Sequence, residues 1–225
     1  MQKFISKITL KVSSFLILRF KLFLKIIRII LSRSFLRIYS IGLKVPKWHL
    51  NATYEAREYK NKVIKICNSY KTNNVIEIGC GIGEIISRIQ APLKYGLDVN
   101  KDTLILLKRI NKNIKTIQTD IMENNDDLLE IILSIDKDQT ILLVMVNWLH
   151  EYSESKVLKM LNQIFLIDRK IILIADIYQR KEFSKISNNK IAHQFLKIKN
   201  NKYYKRLNNI DRVRDIVITS NICIE

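Results

Sequence analysis

Residues 75–85 read Val-Ile-Glu-Ile-Gly-Cys-Gly-Ile-Gly-Glu-Ile, and no other stretch limits the possible folds as sharply. A short apolar run, rich in β-branched residues, leads into Gly79, Gly81 and Gly83 at every second position. The run predicts a buried strand. The glycines predict a turn whose backbone can be approached closely, where side chains would stand in the way. The spacing is not that of dinucleotide folds, whose third glycine comes one residue later, and no phosphate-binding lysine follows.

The rest of the chain alternates between helix-like and strand-like segments. Residues 53–70 predict a helix capped by Thr53, with Tyr59, Val63, Ile66 and Cys67 on one face. Strands are expected at 75–79, 95–98, 116–120, 140–147 and 170–176, separated by helices at 84–90, 102–110, 126–135 and 153–165. Asp126 and Asp127 suit a helix N-terminus. The central strands are continuous apolar runs, the mark of a parallel sheet covered on both faces. Residues 203–207 and 215–218 flank Asn-Asn-Ile-Asp and predict a closing antiparallel hairpin, making seven strands. Such sheets bind ligands outside the carboxyl ends of their strands.

The charge is uneven. Of the net +18, residues 1–50 carry +11, with eleven Lys/Arg and no acid, and residues 51–225 carry +7. Lys3, Lys7, Lys11, Ser14, Lys21, Lys25, Arg28 and Ser32 recur at helical steps, and Phe4, Ile8, Phe15, Phe20, Phe23, Ile27 and Ile30 fill the remaining circumference. This predicts a basic amphipathic helix, or a pair broken near Ser32–Ser34. The boundary between extension and domain is expected at residues 46/47. No uncharged apolar run approaches the roughly 18 residues needed to cross a bilayer, and charges interrupt any signal-like core. The arc suits an in-plane position on an anionic membrane surface through residues 1–45; packing on the domain or on a second subunit is the alternative. Nucleic acid is the less favoured partner, because the stretch is too apolar for a basic RNA arm. Cys67, Cys80 and Cys223 are odd in number and lack metal-ligand spacing, so neither disulfides nor a metal are expected. A reducing cytoplasm, with peripheral attachment to the inner face of the membrane, is the expected location.

The glycine motif resembles the first motif of the class I S-adenosylmethionine-dependent methyltransferases, an acid followed by three alternating glycines. The resemblance covers roughly residues 75–176 and, more loosely, 48–220. It implies a Rossmann-like α/β fold and S-adenosylmethionine as cofactor. It places Gly79, Cys80, Gly81 and Gly83 against the amino-acid and ribose portions, with Glu77 ordering the loop or meeting the amine. Asp98, 19 residues after Gly79, would accept both ribose hydroxyls beside Val99. Asp120 would face the adenine amino group, and Ile121 would flank the ring. Asn147 and Trp148 would lie near the methyl group and the acceptor.

His150 and His193 are the candidate general bases, since an imidazole titrates near neutral pH. Trp48, His49 and Tyr54 are candidates for an aromatic flap that excludes water. The segments Lys-Trp-His-Leu at 47–50 and Asn-Trp-Leu-His at 147–150 are similar to segments of methyltransferases from bacterial surface-polysaccharide gene clusters, and Ala192-His193 falls where those proteins often carry a Tyr/Asn-His pair. The reading is therefore a methyltransferase acting on a glycan hydroxyl or a small molecule by direct displacement. The rivals are an RNA or protein methyltransferase, a non-catalytic S-adenosylmethionine-binding scaffold, and an NAD-dependent oxidoreductase. The glycine spacing disfavours the last.

Overall fold

A computed structural model describes residues 2–179, 188–198, 201–211 and 213–224; side chains are described within these, except at 2–15 and 188–192. The side chains of Lys3, Phe4, Lys7, Ile8, Lys11, Ser14, Phe15 and Ala192 therefore lie outside the described set.

The strands are β1 (Asn74–Ile78), β2 (Leu93–Asp98), β3 (Lys115–Gln118), β4 (Thr140–Met145), β5 (Lys170–Tyr178), β6 (Tyr203–Leu207) and β7 (Arg214–Ser220). They form one seven-stranded sheet in the order β3-β2-β1-β4-β5-β7-β6. The five strands β1 to β5 run parallel. The β6–β7 hairpin closes the sheet antiparallel against β5, as its turn sequence predicts. The order reverses between β1 and β4, so their carboxyl ends part and open a crevice there.

Burial follows the two-sided pattern. Every residue of β1 is buried, and β4 is buried from Ile141 to Met145. Ile76, Ile78, Leu143 and Met145 join the cluster formed with α5 (Asp126–Ser134), α6 (Glu154–Leu166) and α7 (Asn188–Lys197). Val75, Leu142 and Val144 face the other way, against α3 (Glu58–Ser69) and α4 (Lys101–Ile110). Alternate residues along each strand thus supply two separate cores.

Two expected helices change form. Residues 53–70 begin with a single 3-10 turn, Tyr54–Ala56, before α3 starts at Glu58. Residues 84–90 make no α-helix, only a 3-10 turn at Ile86–Arg88. Only residues 79–92 connect β1 to the parallel β2, close to the minimum for such a crossover. Pro92 also biases Ala91 away from helical angles.

The N-terminal segment is one helix, α1 (Gln2–Tyr39), running unbroken past Ser32–Ser34. Its last turns dock on the domain. Leu36 is buried against Ile82 and Leu106, and Arg109 donates to the carbonyls of Tyr39 and Ile41 at 2.9 and 3.1 Å. Farther up, Leu16, Leu18, Phe20, Leu22, Phe23 and Leu31 are each more than half exposed. Among the described residues no helix is long and apolar enough to cross a membrane.

Candidate functional site

At the carboxyl edge of the sheet lies a cavity of about 560 Å³, within the usual range for small-molecule sites. Gly79, the first residue of the glycine bend, lies on its wall. Gly79, Gly81 and Gly83 have φ of +65°, +53° and +72°, in the left-handed region that favours glycine. Two carboxylates, the buried Glu77 and the half-buried Asp98, tie the bend down. Glu77 Oε2 accepts the Ile86 N–H at 2.9 Å. Asp98 Oδ2 accepts the Gly81 N–H at 2.8 Å, and its Oδ1 accepts that of Asn100 at 2.9 Å. Burial pushes the Glu77 carboxyl up to about 8, opposed by the Ile86 bond and by Lys60. Burial also raises Asp98, and its backbone bonds resist the shift. Asp98 does not cap the next helix. Asn100 does so, accepting the Thr103 N–H at 2.9 Å. The Asp98 carboxylate thus keeps acceptor positions for a ligand at the cavity wall.

Ten predicted residues meet around this space: Trp48, His49, Gly79, Asp98, Val99, Asp120, Ile121, Asn147, Trp148 and His150. Asp120 and Val99 are exposed at its rim, and Ile121 is buried in its wall. Asp120 lies two residues past β3, in a turn its own carboxylate stabilises by accepting the Met122 N–H at 3.0 Å. Asn147 follows β4 with φ +64°. His150 sits in a 3-10 turn, its Nε2 2.9 Å from Glu151 Oε1 and its ring 4.6 Å from that of Tyr178.

Other predicted residues stand elsewhere. Glu77, Cys80 and Gly81 line a small adjoining cavity of about 50 Å³, together with Lys60 and Tyr59. The Cys80 side chain points into the core toward Gly96, and burial raises its thiol. Gly83 packs on Leu107, so its missing side chain serves the contact with α4 rather than a ligand. Tyr54, expected in the flap, lines neither of these two cavities. It stacks under Arg88 at 4.2 Å and bonds Asn61, because the 3-10 turn faces it toward α3 and the end of the glycine crossover. His193 is exposed on α7 and also lines neither cavity, since the buried neighbours Gln194 and Phe195 turn that face of the helix inward.

The bend itself is covered. A Cβ on Gly79 would stand 2.6 Å from Trp148 Cδ1, and one on Gly81 would stand 2.5 Å from His49 Cε1. His49 comes from α2 (Lys47–Asn51), and Trp48 stacks on it with ring centroids 3.4 Å apart. Burial, with Lys60 nearby, lowers the His49 imidazole to about 4, so it is neutral at physiological pH.

Sequence reasoning missed several neighbours. Thr119, Asn100, Glu151 and Tyr152 line the main cavity. Their nearness to Asp120, Asp98 and His150 in sequence was the available signal. Lys60, Asp176 and Arg214 gave none, because only the folded sheet gathers them.

No family model matches the chain, and no curated protein matches it. Solved structures do match in fold. The N-methyltransferase NodS from Bradyrhizobium japonicum WM9, in complex with S-adenosyl-L-homocysteine, aligns with TM-score 0.58 at 13% identity, over 84% of this chain and 98% of that one. The magnesium protoporphyrin IX methyltransferase ChlM from Synechocystis PCC 6803, with bound S-adenosylmethionine, aligns with TM-score 0.53 at 11% identity, over 72% and 77%. The mitomycin 7-O-methyltransferase MmcR aligns with TM-score 0.55 at 12% identity, over 77% of this chain and 56% of that one. The fold is therefore the Rossmann-like fold of class I methyltransferases.

Proposed function

We propose that this chain is an S-adenosylmethionine-dependent methyltransferase acting on a glycan hydroxyl or a small molecule. The observation that carries the reading is Asp98, at the end of β2, beside a glycine bend that opens on the 560 Å³ cavity. The residues present fit the cofactor. Asp98 offers a carboxylate for the ribose, Asp120 and Ile121 would flank the adenine, and Gly79 lies on the wall along which the remainder would run. When bound, the cofactor supplies an activated sulfonium methyl group.

The protein's share is alignment, exclusion of water and handling of one proton. His150 stands on the cavity wall and can take up the acceptor's proton; the Glu151 carboxylate beside it would stabilise the resulting imidazolium. Trp148 and Tyr152, with centroids 5.0 Å apart, give the cavity an apolar aromatic side.

The lining favours a small or neutral acceptor over a nucleic acid. It holds three carboxylates, Asp98, Asp120 and Glu151, and neither lysine nor arginine. A polyanion would meet repulsion there. Incubation with labelled S-adenosylmethionine and cell-envelope glycans or small hydroxylated acceptors tests the assignment. Label entering only RNA or protein would reject it. Binding of cofactor without turnover on a broad acceptor panel would favour the scaffold reading.

The exposed apolar surface of α1, within a segment free of acids, supports peripheral attachment to an anionic membrane. Flotation with anionic vesicles should fall sharply in a Phe20→Ser/Phe23→Ser variant. Both side chains are more than half exposed, and neither belongs to the cluster that buries Leu36, so that docking contact of α1 is left in place. Equal flotation of the variant and the parent chain would reject the attachment.

A further inference from the structure

Glycines at Gly79 and Gly81 leave the backbone accessible, yet two rings of the same chain take that access. His49 lines both the main cavity and the small one beside Glu77 and Lys60, so its imidazole is part of the partition between them. Withdrawing it would join the two spaces into one trough along the bend.

The element carrying His49 is lightly held. α2 has five residues, no side-chain cap and one buried side chain, His49 itself. Trp48, next to it, is 57% exposed. The far end of α2 is tied to α1 by Arg33, whose Nε and Nη2 donate to the Asn51 carbonyl at 3.2 and 3.0 Å. Lys60 donates to the Ala52 carbonyl from the domain side. Few buried contacts and a small number of hydrogen bonds mark a segment able to open locally.

We propose that His49 and Trp148 form an aromatic gate that closes over the glycine bend and withdraws when a sulfonium or thioether nucleoside binds, with Arg33 of α1 as its latch. This regulation rests on the reading of the mouth as a cofactor site. A ligand that binds only the withdrawn arrangement has its affinity reduced by the fraction of molecules in which the gate is open.

Trp48 and Trp148 are the two tryptophans of the chain, and both stand at the gate. In a W48F chain, Trp148 is therefore the sole indole reporter. We would titrate the parent and W48F chains with S-adenosyl-L-homocysteine, following tryptophan emission and calorimetric heat in parallel. The expected result is a saturable change in Trp148 emission with the same midpoint as the heat. His49→Ala should tighten binding, by ~10-fold if the gate is open in about one molecule in ten. Arg33→Ala, which touches neither cavity lining, should tighten it in the same direction by a smaller factor. Heat in His49→Ala but none in the parent would also support the gate, as a strongly closed one. Saturating heat with unchanged Trp148 emission overturns the gate and leaves the cofactor site standing, as does weaker or unaltered binding in both variants. Absence of heat in all of these chains overturns the cofactor reading and the gate with it.

Discussion

Asp176 accepts the main-chain N–H of Asn147 at 2.9 Å, and through this bond the buried interior of β5 holds the turn that leaves β4. The other carboxylate oxygen of Asp176 faces Arg214 Nη1 at 3.2 Å, and both residues are buried. The Arg214 guanidinium lies over Tyr59 at 3.5 Å and beside Tyr178 at 4.8 Å, and Tyr178 also bonds the Asn147 side chain. Burial raises the Asp176 carboxyl, and the charge of Arg214 opposes that shift. Asn147 is thus kept at φ +64°, an angle that costs a non-glycine residue of order 1 kcal/mol.

Removing one member of this pair leaves the other buried without its counter-charge. Arg214→Ala should lower the stability of the chain by roughly 3–5 kcal/mol. Arg214→Lys should recover only part of it, because lysine lacks the planar face that lies over Tyr59. Urea unfolding of the three chains measures both effects. A loss below about 1 kcal/mol in Arg214→Ala would show the pair to be dispensable.

The contact between Gly81 and His49 predicts a coupled pair of substitutions. Gly81→Ala adds a Cβ at φ +53°, 2.5 Å from the imidazole. Conformational strain and overlap together should cost about 1–3 kcal/mol. Combining it with His49→Ala should remove the overlap and leave the strain, so the double variant should be more stable than the sum of its parts predicts. Additive melting shifts across the cycle would contradict this packing.

Asp98 joins the bend to the cavity. Asp98→Ala should weaken S-adenosyl-L-homocysteine binding by about 1.5–3 kcal/mol, the usual share of a hydrogen bond to a charged acceptor. Calorimetry reads this directly, and full affinity in the variant would remove Asp98 from ligand contact. Asp98→Asn should bind better than Asp98→Ala, since its amide oxygen can still accept from Gly81 or Asn100.

Two buried groups give opposite pH dependences of stability. His49, lowered from 6.5 to about 4, contributes stability that is present above pH 6.5 and lost as pH falls through 4, because the unfolded chain takes the proton first. Glu77, raised from 4.5 to about 8, contributes stability that is present below pH 4.5 and lost as pH rises through 8. Urea midpoints of His49→Gln should fall less steeply with acid than those of the parent between pH 6.5 and 4. Those of Glu77→Gln should fall less between pH 4.5 and 8. Parallel curves for variant and parent would show that the burial of these groups is not what sets the dependence.

Much of this molecule is legible in residues adjacent in sequence. The apolar runs at 75–78 and 141–145, the alternating glycines, and the acids ending β2 and following β3 determine a parallel sheet with a ligand-sized mouth, since strand period and side-chain size act locally. What the chain alone could not decide is what fills that mouth and what braces it. His49 reaches Gly81 from 32 positions away, Trp148 reaches Gly79 from 69, and Arg214 reaches Asp176 from 38. Those meetings depend on the strand order and on how α1 and α2 lie against the sheet. The crossover of residues 79–92 likewise lost its expected helix to a shortage of chain between two paired strands. Local chemistry sets which elements form; only their packing sets which distant side chains share a space.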